Sequence, residues 1–510
     1  MLVKSRTYNS IANSIWGITA SAITVTLNFA VRVVLVRQLG EEINGINSLF
    51  QSIISMMALM EMGVSSAMII HLYEPVKHND QTTISAIMSF YRHVYNYVAG
   101  AFAVVGILIS IFLIDKLVTS SIPINTVRIY FLFFTACFVC NYLTYYKRSI
   151  LFAEQKNRIS TGVTAVCELF FRGIQIVLLL LWQNYIAFLI VLMLEKLVSN
   201  LICQYYVNKN HPYLRKNRAI ISSEKKKAIF KTVKPLMVYQ TASTLQGTAT
   251  SILISILLGN VAIVGYYGVY QLVISVITLL FSQLGGAFTT SFGNMAVDNN
   301  HEHMEAVFKK AAFLFNGIAC ICGALFIACA DDIVFLFFGR NFVLSSLSVF
   351  LLTLQMLVQL LIIPSVSVQN AMGLHRFVRN AIVVQALCAV LLGYIGGVLC
   401  GMPGIIIGLT VPTIIISLFN NGITITSKAF SMRLQSYLGL IGSDIIRLVI
   451  TILVVSWICL ILEMSPSWRS LIIKGIFALV ISITIFGISS IGRHEFHQFL
   501  ELLRLRKKIS

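Results

Sequence analysis

The chain has 510 residues, of which 57% are hydrophobic and 11% are charged, and its formal net charge is +19. The apolar residues form long continuous runs without two-residue alternation, which excludes a membrane β-barrel. The basic residues lie in short gaps between these runs rather than in a basic soluble domain, so nucleic acid is not an expected partner.

In chain order, the sequence contains fourteen apolar runs, each close to or above the roughly 20 residues that a helix needs to cross a bilayer. Only helices and closed barrels satisfy their backbone hydrogen bonds in lipid, so these runs predict an all-α polytopic membrane protein with fourteen transmembrane helices. The predicted spans one to fourteen are residues 11–36, 43–70, 94–114, 127–146, 159–182, 185–207, 233–258, 261–292, 307–330, 344–368, 377–400, 403–425, 438–461 and 468–491.

The basic residues predict the orientation of these spans. If the N-terminus is cytoplasmic, 28 of the 38 lysines and arginines fall in cytoplasmic gaps and only six in the opposite gaps. This asymmetry is the positive-inside pattern, so we expect both termini to be cytoplasmic and the number of spans to be even. The first run is too long for a cleavable signal and is interpreted as span one.

No catalytic set or metal site is predicted. The ten cysteines lie within or at the edge of spans, where small apolar packing is the ordinary role. Cys137 and Cys140 form a single CxxC without a second pair. His494 and His497 flank Glu495, but zinc signatures of the HExxH type place the two histidines four residues apart.

The chain contains an internal repeat with an offset of about 218 residues. Corresponding pairs are Asp80 and Asp298, Ala153 and Ala371, Arg158 and Arg376, and, at an offset of 219, Gly40 and Gly259. Spans one to six and seven to twelve are therefore predicted to be two copies of one bundle, an organisation common in transporters. The predicted domains are residues 1–207, a basic cytoplasmic linker at 208–234, a second lobe at 235–433, and spans thirteen and fourteen with a basic tail at 434–510.

Polar residues form helical stripes on the first two spans of each repeat. Such stripes either line a wet cavity or join helices by hydrogen bonds, and their occurrence at equivalent places in both repeats favours the cavity. The candidate cavity residues from these stripes are Asn28, Arg32, Gln51, Glu61, Gln240, Thr244 and Gln271.

Charged residues inside spans are costly and usually functional. Glu168 and Arg172 are four residues apart, so they are expected to pair, either as a structural ion pair or as cavity residues. Glu195 and Lys196 are adjacent and point in different directions, so we expect at least one to face another helix or water. Arg32 has no partner on its own helix, and its planar fork suits an anionic, phosphate-containing ligand.

Two acidic or ionic groups near span ends have simpler interpretations. Asp444 and Arg447 lie near the cytoplasmic end of span thirteen, where snorkelling to the interface is expected. Asp331 and Asp332 lie at an outer span end, where capping or solvation is expected and a change of both is predicted to be tolerated. Pro364 and Pro412 are predicted to kink spans ten and twelve.

The chain resembles the polysaccharide repeat-unit flippases (Wzx-type) of the MOP exporter superfamily, in particular Gram-positive capsule and exopolysaccharide members. Fourteen spans in a 6+6+2 arrangement resemble that superfamily, and the resemblance is strongest over about the first hundred residues. The segments that carry it are 32–40 (RVVLVRQLG), Gly45, 61–63 (EMG) and 72–75 (LYEP).

The resemblance implies two lobes in a V shape and movement of an undecaprenyl-diphosphate-linked oligosaccharide from the cytoplasmic to the outer leaflet of the plasma membrane. It also implies that Arg32 occupies a position where such members often carry a basic residue, and that a polysaccharide polymerase and glycosyltransferases are partners. No GxxxxGK[ST] motif is present, so ATP hydrolysis is not expected. No cofactor is expected beyond a coupling ion, Na⁺ or H⁺, which the residues do not specify.

Three alternatives remain open at this point. A peptidoglycan precursor flippase shares both fold and chemistry. A multidrug exporter shares the fold but usually binds cations, which the lone Arg32 argues against. A membrane polysaccharide polymerase or glycosyltransferase belongs to another class, and the short outer gaps and the repeat argue against such an enzyme.

Overall fold

The structure is a computed structural model of the whole chain, and it describes residues 6–61, 64–216, 221–297, 301–430, 432–462 and 464–498. Within these ranges the secondary structure is helical and contains no β-strand. Residues 62–63 of the motif, Asp298, residues 217–220 of the predicted linker and the basic tail from residue 499 lie outside them.

The chain divides into two compact units, Met1–Gly268 and Val269–Ser510. This division falls inside a helix, whereas the predicted domain boundaries at 207 and 235 stay a prediction. The helices that lie in the first unit are α1 (Arg6–Met57), α2 (Val64–Lys77), α3 (Gln81–Phe112), α4 (Ile114–Leu117), α5 (Ile124–Tyr145), α6 (Arg148–Ala153), α7 (Asn157–Trp182), α8 (Tyr185–Asn210), α9 (Tyr213–Lys216) and α10 (Ser223–Leu258).

Helix α11 (Val261–Val297) begins in the first unit and ends in the second. The remaining helices are α12 (His301–Phe338), α13 (Ser346–Met372), α14 (His375–Pro412), α15 (Leu418–Lys428), α16 (Leu434–Leu462) and α17 (Trp468–Ser490). A π-helical segment, Thr413–Ser417, connects α14 to α15 directly after Pro412, which cannot donate a backbone hydrogen bond. This is the local irregularity expected at that proline, whereas α13 continues through Pro364.

Twelve helical stretches in the described residues are long and apolar enough to cross a membrane. Two of them, Ser21–Met57 and Phe377–Lys428, each extend over parts of two predicted spans. Each contains a glycine with positive φ, Gly40 at 85° and Gly401 at 62°, where the helix direction is interrupted. Dividing these two stretches at their glycines gives fourteen spans, which confirms the predicted all-α polytopic fold.

The backbone repeats with the same offset as the sequence. Left-handed residues end helices at Gly40, Gln155 and Gln183 in the first repeat, and their counterparts in the second are Gly259, Gly373 and Gly401. The offsets are 219, 218 and 218 residues. Since such conformations are uncommon, three coincident pairs confirm that spans one to six and seven to twelve are copies of one bundle.

Packing within each unit follows from apolar helix faces. In the first unit α1 packs on α7 and α10, and α5 packs on α3 and α8 around the fully buried Phe50 and Phe131. In the second unit α12 lies against α13, α16 and α17, and Phe308 and Tyr437 are buried in the same cluster. The interior of the first unit also contains most of the predicted polar site.

Candidate functional site

Arg32 lies in the part of α1 before Gly40 and is buried, with 9% of its surface exposed. Its Nη2 donates to the carbonyl oxygen of Asn44 at 3.2 Å and to the hydroxyl of Ser48, both in the part of α1 after Gly40. The Nε atom of Arg32 is buried without a hydrogen-bond partner. The guanidinium is therefore solvated by neutral oxygens, and no carboxylate of the described residues lies within ion-pair distance of it.

The segment that holds Arg32 makes a very close helix contact. A Cβ atom on Gly45 would overlap the carbonyl oxygen of Val261, and one on Gly265 would lie 2.7 Å from Nδ2 of Asn44. A Cβ on Gly268 would lie 2.5 Å from Oγ of Ser48 and 3.3 Å from Nη2 of Arg32. Glycines thus allow the part of α1 after Gly40 to touch the start of α11, and Arg32 lies against this contact.

The predicted Glu168–Arg172 pair is wrong. Nε of Arg172 faces Oε2 of Glu195 on α8 at 3.6 Å, and its Nη1 donates to Oε1 of Gln175 at 2.9 Å. Glu168 instead accepts a hydrogen bond from the hydroxyl of Thr24 on α1. Helical spacing brought the two side chains within reach of each other, but the neighbouring helices offer each a different partner.

Glu195 is almost completely buried and faces two cations. Besides Arg172, Nζ of Lys196 lies 2.8 Å from its Oε1. Glu195 and Lys196 therefore contact each other. Glu195 also contacts Arg172 of α7, so one of the two residues faces another helix, as predicted. Among the described residues, the Glu195 carboxylate therefore faces two cations, whereas the Glu168 carboxylate faces none within ion-pair distance.

Glu61 forms a third polar group in the first unit. It directly follows the 3₁₀ turn Ala58–Met60 and accepts a hydrogen bond from the hydroxyl of Tyr95, which is itself buried beside Tyr91. No cation of the described residues lies within ion-pair distance of Glu61.

The other predicted cavity residues differ in how far the protein covers them. Asn28, Gln240, Thr244 and Gln271 are partly buried, and Gln51 is not covered by protein. Farther along the stripe of span seven, Ser255 is buried and its hydroxyl donates to the carbonyl of Leu117. That end of the stripe joins helices, as the alternative interpretation held.

Arg148 is a functional candidate that the sequence interpretation missed, because it was counted among the cytoplasmic-gap residues. It is buried, and its guanidinium donates to Thr164 Oγ1 at 2.8 Å, Ser160 Oγ at 3.3 Å and Ser199 Oγ at 2.5 Å. No regular spacing in the sequence connects Arg148 with these hydroxyls, which lie on α7 and α8.

In the second unit, Asp332 is not a solvated end group as predicted. It is fully buried and pairs with Lys474 of α17 at 3.0 Å, while Ser470 donates to it at 2.8 Å. Asp331 accepts a hydrogen bond from the hydroxyl of Tyr270 at 2.5 Å. The expectation that both aspartates are dispensable is therefore revised, because Asp332 fastens α12 to α17.

Asp444 and Arg447 do not snorkel to the interface either. Asp444 is fully buried between Arg447 at 3.2 Å and Arg493 at 2.9 Å, and Arg447 also donates to Asn316 of α12 at 2.9 Å. Packing of α16 against α12 buries both groups, so the pair is an interior network rather than an interfacial one. Among the described residues, no three His, Cys, Asp or Glu side chains come together as they would to hold a metal ion.

The comparisons with known proteins identify the class. A family model described as "Polysaccharide biosynthesis protein" matches residues 10–292, which is more than half of the chain. The chain belongs to this polysaccharide biosynthesis protein family. A search of curated protein sequences found no match.

Solved structures share the fold. A structure described as the lipid II flippase MurJ in an inward closed conformation matches with a TM-score of 0.68 and 13% identity, over 94% of this chain and 99% of that one. An inward-facing multidrug resistance MATE family transporter of the MOP superfamily matches with a TM-score of 0.62 and 13% identity, over 82% and 98%. A variant of the Vibrio cholerae MATE transporter VcmN matches at 0.59 and 14%, over 84% and 100%. The chain therefore has the MOP-type transporter fold.

Proposed function

We propose that this protein moves lipid-linked oligosaccharide repeat units, carried on undecaprenyl diphosphate, from the cytoplasmic to the outer leaflet of the plasma membrane. Passage of a diphosphate and several sugars through hydrocarbon would strip many polar groups of water at several kcal/mol each. A transporter with a polar interior removes that cost. The family assignment over residues 10–292 and the transporter fold support this function over that of an enzyme.

The observation that carries the proposal is the chemistry of Arg32. Among the described residues, the hydrogen-bond acceptors of this buried guanidinium are one hydroxyl and one carbonyl oxygen, both neutral, so its positive charge and N–H donors remain suited to an anion. Hydrogen bonds between charged groups are roughly twice as strong as those to neutral ones, so a diphosphate would displace Ser48 and Asn44 from Arg32. Arg32 is proposed to bind the diphosphate, with Asn28, Gln51, Glu61, Glu168, Arg172, Gln240, Thr244 and Gln271 as further polar residues along the route.

Transport by alternating access requires a contact that opens and closes. The glycine-mediated contact between Gly45 and the start of α11 is proposed to be the outer closure, because both segments lie at the predicted outer ends of spans two and eight. Arg32 lies against it, so displacement of Arg32 from Ser48 by a diphosphate would loosen that closure. In this proposal both termini and the linker at 208–234 are cytoplasmic, and polymerase and glycosyltransferases act on the same pathway of surface assembly.

The test is export of surface polysaccharide in cells that depend on this protein. We expect Arg32→Ala to abolish export with normal membrane abundance and with lipid-linked repeat units accumulating on the cytoplasmic side. Arg32→Lys is expected to retain part of the activity, because a point charge still attracts phosphate but loses the bidentate fork. Full export by Arg32→Ala would contradict the assigned role of this residue.

Two other transport functions are distinguished by the substrate. The likeness to a lipid II flippase makes a peptidoglycan precursor the second candidate, and rescue of cells depleted of their own precursor flippase would establish it. The likeness to MATE transporters makes a cationic drug the third, and it predicts increased resistance to cationic dyes. Neither effect is expected if the substrate is a polysaccharide repeat unit.

A further inference from the structure

Asn44 is a fully buried residue whose side-chain amide is not satisfied. It lies in the part of α1 after Gly40. Its main-chain carbonyl oxygen accepts hydrogen bonds from Arg32 at 3.2 Å and from the hydroxyl of Ser48 at 3.0 Å. The side-chain atoms Nδ2 and Oδ1 have no hydrogen-bond partner among the described residues. A buried amide in this state destabilises the structure, because both atoms have lost water without gaining a protein partner.

Asn47, one turn farther along the same helix, shows how such an amide is ordinarily satisfied. It is also buried, with 8% of its surface exposed, and its Oδ1 accepts a hydrogen bond from the hydroxyl of Tyr185 on α8 at 3.0 Å. Of these two asparagines, Asn47 is the one bonded to a neighbouring helix within the described part of the chain. Buried polar side chains usually have at least one partner, so the state of Asn44 requires a reason.

The unsatisfied amide lies beside Arg32 and faces the same surface of α11. A Cβ on Gly265 would lie 2.7 Å from Nδ2 of Asn44, and one on Gly268 would lie 3.3 Å from Nη2 of Arg32. Gly265 and Gly268 are three residues apart, so they share one face of α11. When α11 and this part of α1 separate, no side chain at position 265 or 268 would fill the space in front of the two donors.

The two side chains together define the chemistry of a ligand. The guanidinium of Arg32 and Nδ2 of Asn44 are donors, which suit the oxygens of a diphosphate. Oδ1 of Asn44 is an acceptor, and an ionised diphosphate carries no proton to donate to it. A sugar hydroxyl does carry one. The group that satisfies all three is therefore a diphosphate with a sugar attached directly to it.

We propose that Asn44 binds the junction between the diphosphate and the first sugar of the substrate, with Nδ2 donating to a phosphate oxygen and Oδ1 accepting from a sugar hydroxyl. This inference rests on the proposed function and extends it from a diphosphate to a glycosyl diphosphate. Arg32 attracts the charge that a bare diphosphate also has. With a bare diphosphate, however, Oδ1 of Asn44 stays unsatisfied, so Asn44 distinguishes a loaded lipid carrier from an empty one.

The same contact connects recognition to movement. Asn44 is unsatisfied while α1 and the start of α11 are in contact, and a glycosyl diphosphate that satisfies it is bound only when they separate. Binding of a loaded carrier therefore favours the separated arrangement more than binding of an empty carrier does.

The first experiment measures the binding of two probes to the full chain in phospholipid nanodiscs. The probes are farnesyl diphosphate and farnesyl diphosphoglucose, which differ only by the sugar. The wild type is expected to bind the glucosylated probe roughly tenfold more tightly, the effect of one or two hydrogen bonds. Asn44→Ala should bind both probes with similar affinity, whereas Arg32→Met should weaken both by a similar factor.

Asn44→Asp provides a second variant of nearly the same shape as the wild-type side chain. Its carboxylate would pair with Arg32 and repel phosphate, so it should lose the binding of both probes. Binding of either probe with wild-type affinity by Asn44→Asp would overturn the proposal.

Asn47→Ala is the matched control, and it also allows a comparison without ligand. It should keep the wild-type ratio between the two probes. Its melting temperature should fall, because the buried hydroxyl of Tyr185 loses its acceptor. Asn44→Ala breaks no side-chain hydrogen bond of the described residues, so it should melt at a higher temperature than Asn47→Ala. An equal or lower melting temperature would mean that the Asn44 side chain stabilises the closed contact, for example through a bridging water, and would overturn the proposal.

The binding data separate this inference from the proposed function. Equal binding of the two probes by the wild type, or an unchanged ratio in Asn44→Ala, would overturn the role of Asn44 and leave the proposed function standing. Binding of neither probe by the wild type would contradict the proposed function, and the inference with it.

Discussion

The interior of the first unit and the α12–α16–α17 region of the second differ in how most of their buried charges are neutralised, although Glu195 of the first unit does face two cations. In the first unit Arg32, Arg148, Glu61 and Glu168 contact neutral oxygens or hydroxyls. In the second, Asp332 pairs with Lys474, and Asp444 pairs with Arg447 and Arg493. Both regions bury charge within apolar helices. In the second region the buried carboxylates Asp332 and Asp444 each form an ion pair with a neighbouring cation.

The difference indicates different tasks. A carboxylate closed between two arginines is satisfied in one geometry and stabilises it, which suits helices that remain together. A charge held only by neutral groups retains its attraction for an ion of opposite sign, which suits a site that binds and releases ligands. Buried charge is therefore informative about function only when its partners are known, and the partners lie on other helices.

The most damaging single change is expected in the paired region. Asp444→Asn leaves Arg447 and Arg493 facing each other in the interior, and breaking a buried pair in this way costs about 3–5 kcal/mol. We expect a large fall in thermal stability of the purified protein in detergent, together with low membrane abundance. Asp332→Asn should act in the same direction through Lys474.

The control for Asp444→Asn is Arg32→Met, which removes a buried charge of the first unit that has no ion-pair partner among the described residues. Arg32→Met leaves no carboxylate without a partner, so it should lose only its hydrogen bonds, each worth about 1 kcal/mol. If Arg32→Met and Asp444→Asn destabilise the protein equally, the distinction between the two regions is not valid.

A change at the proposed outer closure is expected to have a smaller effect on stability and a clear effect on conformation. In Gly45→Ala the new methyl group would overlap the carbonyl oxygen of Val261, so α1 and the start of α11 have to separate. Labelling of an engineered cysteine at Ser48 from outside the cell should then increase. Gly162→Ala is the control, since a Cβ there meets no atom within 4 Å, and equal labelling in both variants would exclude the closure.

The sequence predicted the fold well, because apolar run length and loop charge are local properties. The ends of α7, α8 and α17 lie within a few residues of the predicted spans, and the offset between Gly40 and Gly259 recurs in the backbone. The two merged helices, α1 and α14, are also explained by the sequence, since each is broken at a glycine between two predicted spans.

The site was predicted less well, because its contacts are between helices. Spacing of four residues placed Arg172 near Glu168, but only the packing of α8 on α7 shows that Glu195 competes for it. Asp444 was predicted to be interfacial because Arg493, which pairs with it and lies beyond the end of α17, is distant in sequence. Arg148 was assigned to a loop because it follows Lys147, yet the turn directs it inward to Thr164.

The smallest expected effect concerns the ion contacts of Glu154, whose contribution to stability should depend on pH. Glu154, between α6 and α7, lies 3.1 Å from Nε2 of His211 and 2.9 Å from Nζ of Lys156. Burial by itself would raise the pKa of the Glu154 carboxyl, but the hydrogen bonds and charges of His211 and Lys156 outweigh it and hold that pKa below its usual 4.5. The carboxylate form is thus favoured by folding, so this contact stabilises the protein above pH 4.5 and loses its contribution as the pH falls through the lowered pKa.

Glu154→Gln should therefore be less stable than the wild type at neutral pH by no more than about 1 kcal/mol, since the Lys156 side chain is 45% exposed to solvent, which screens the pair. The difference should disappear in acid, where the wild-type carboxylate is also protonated. Amide hydrogen exchange of α9 and the end of α8, compared at neutral and acidic pH, measures it. The difference between the two proteins could instead persist unchanged in acid. In that case the size or shape of the Glu154 side chain, rather than its charge, would anchor this segment. Glu154 would then belong with the neutral contacts of the first unit.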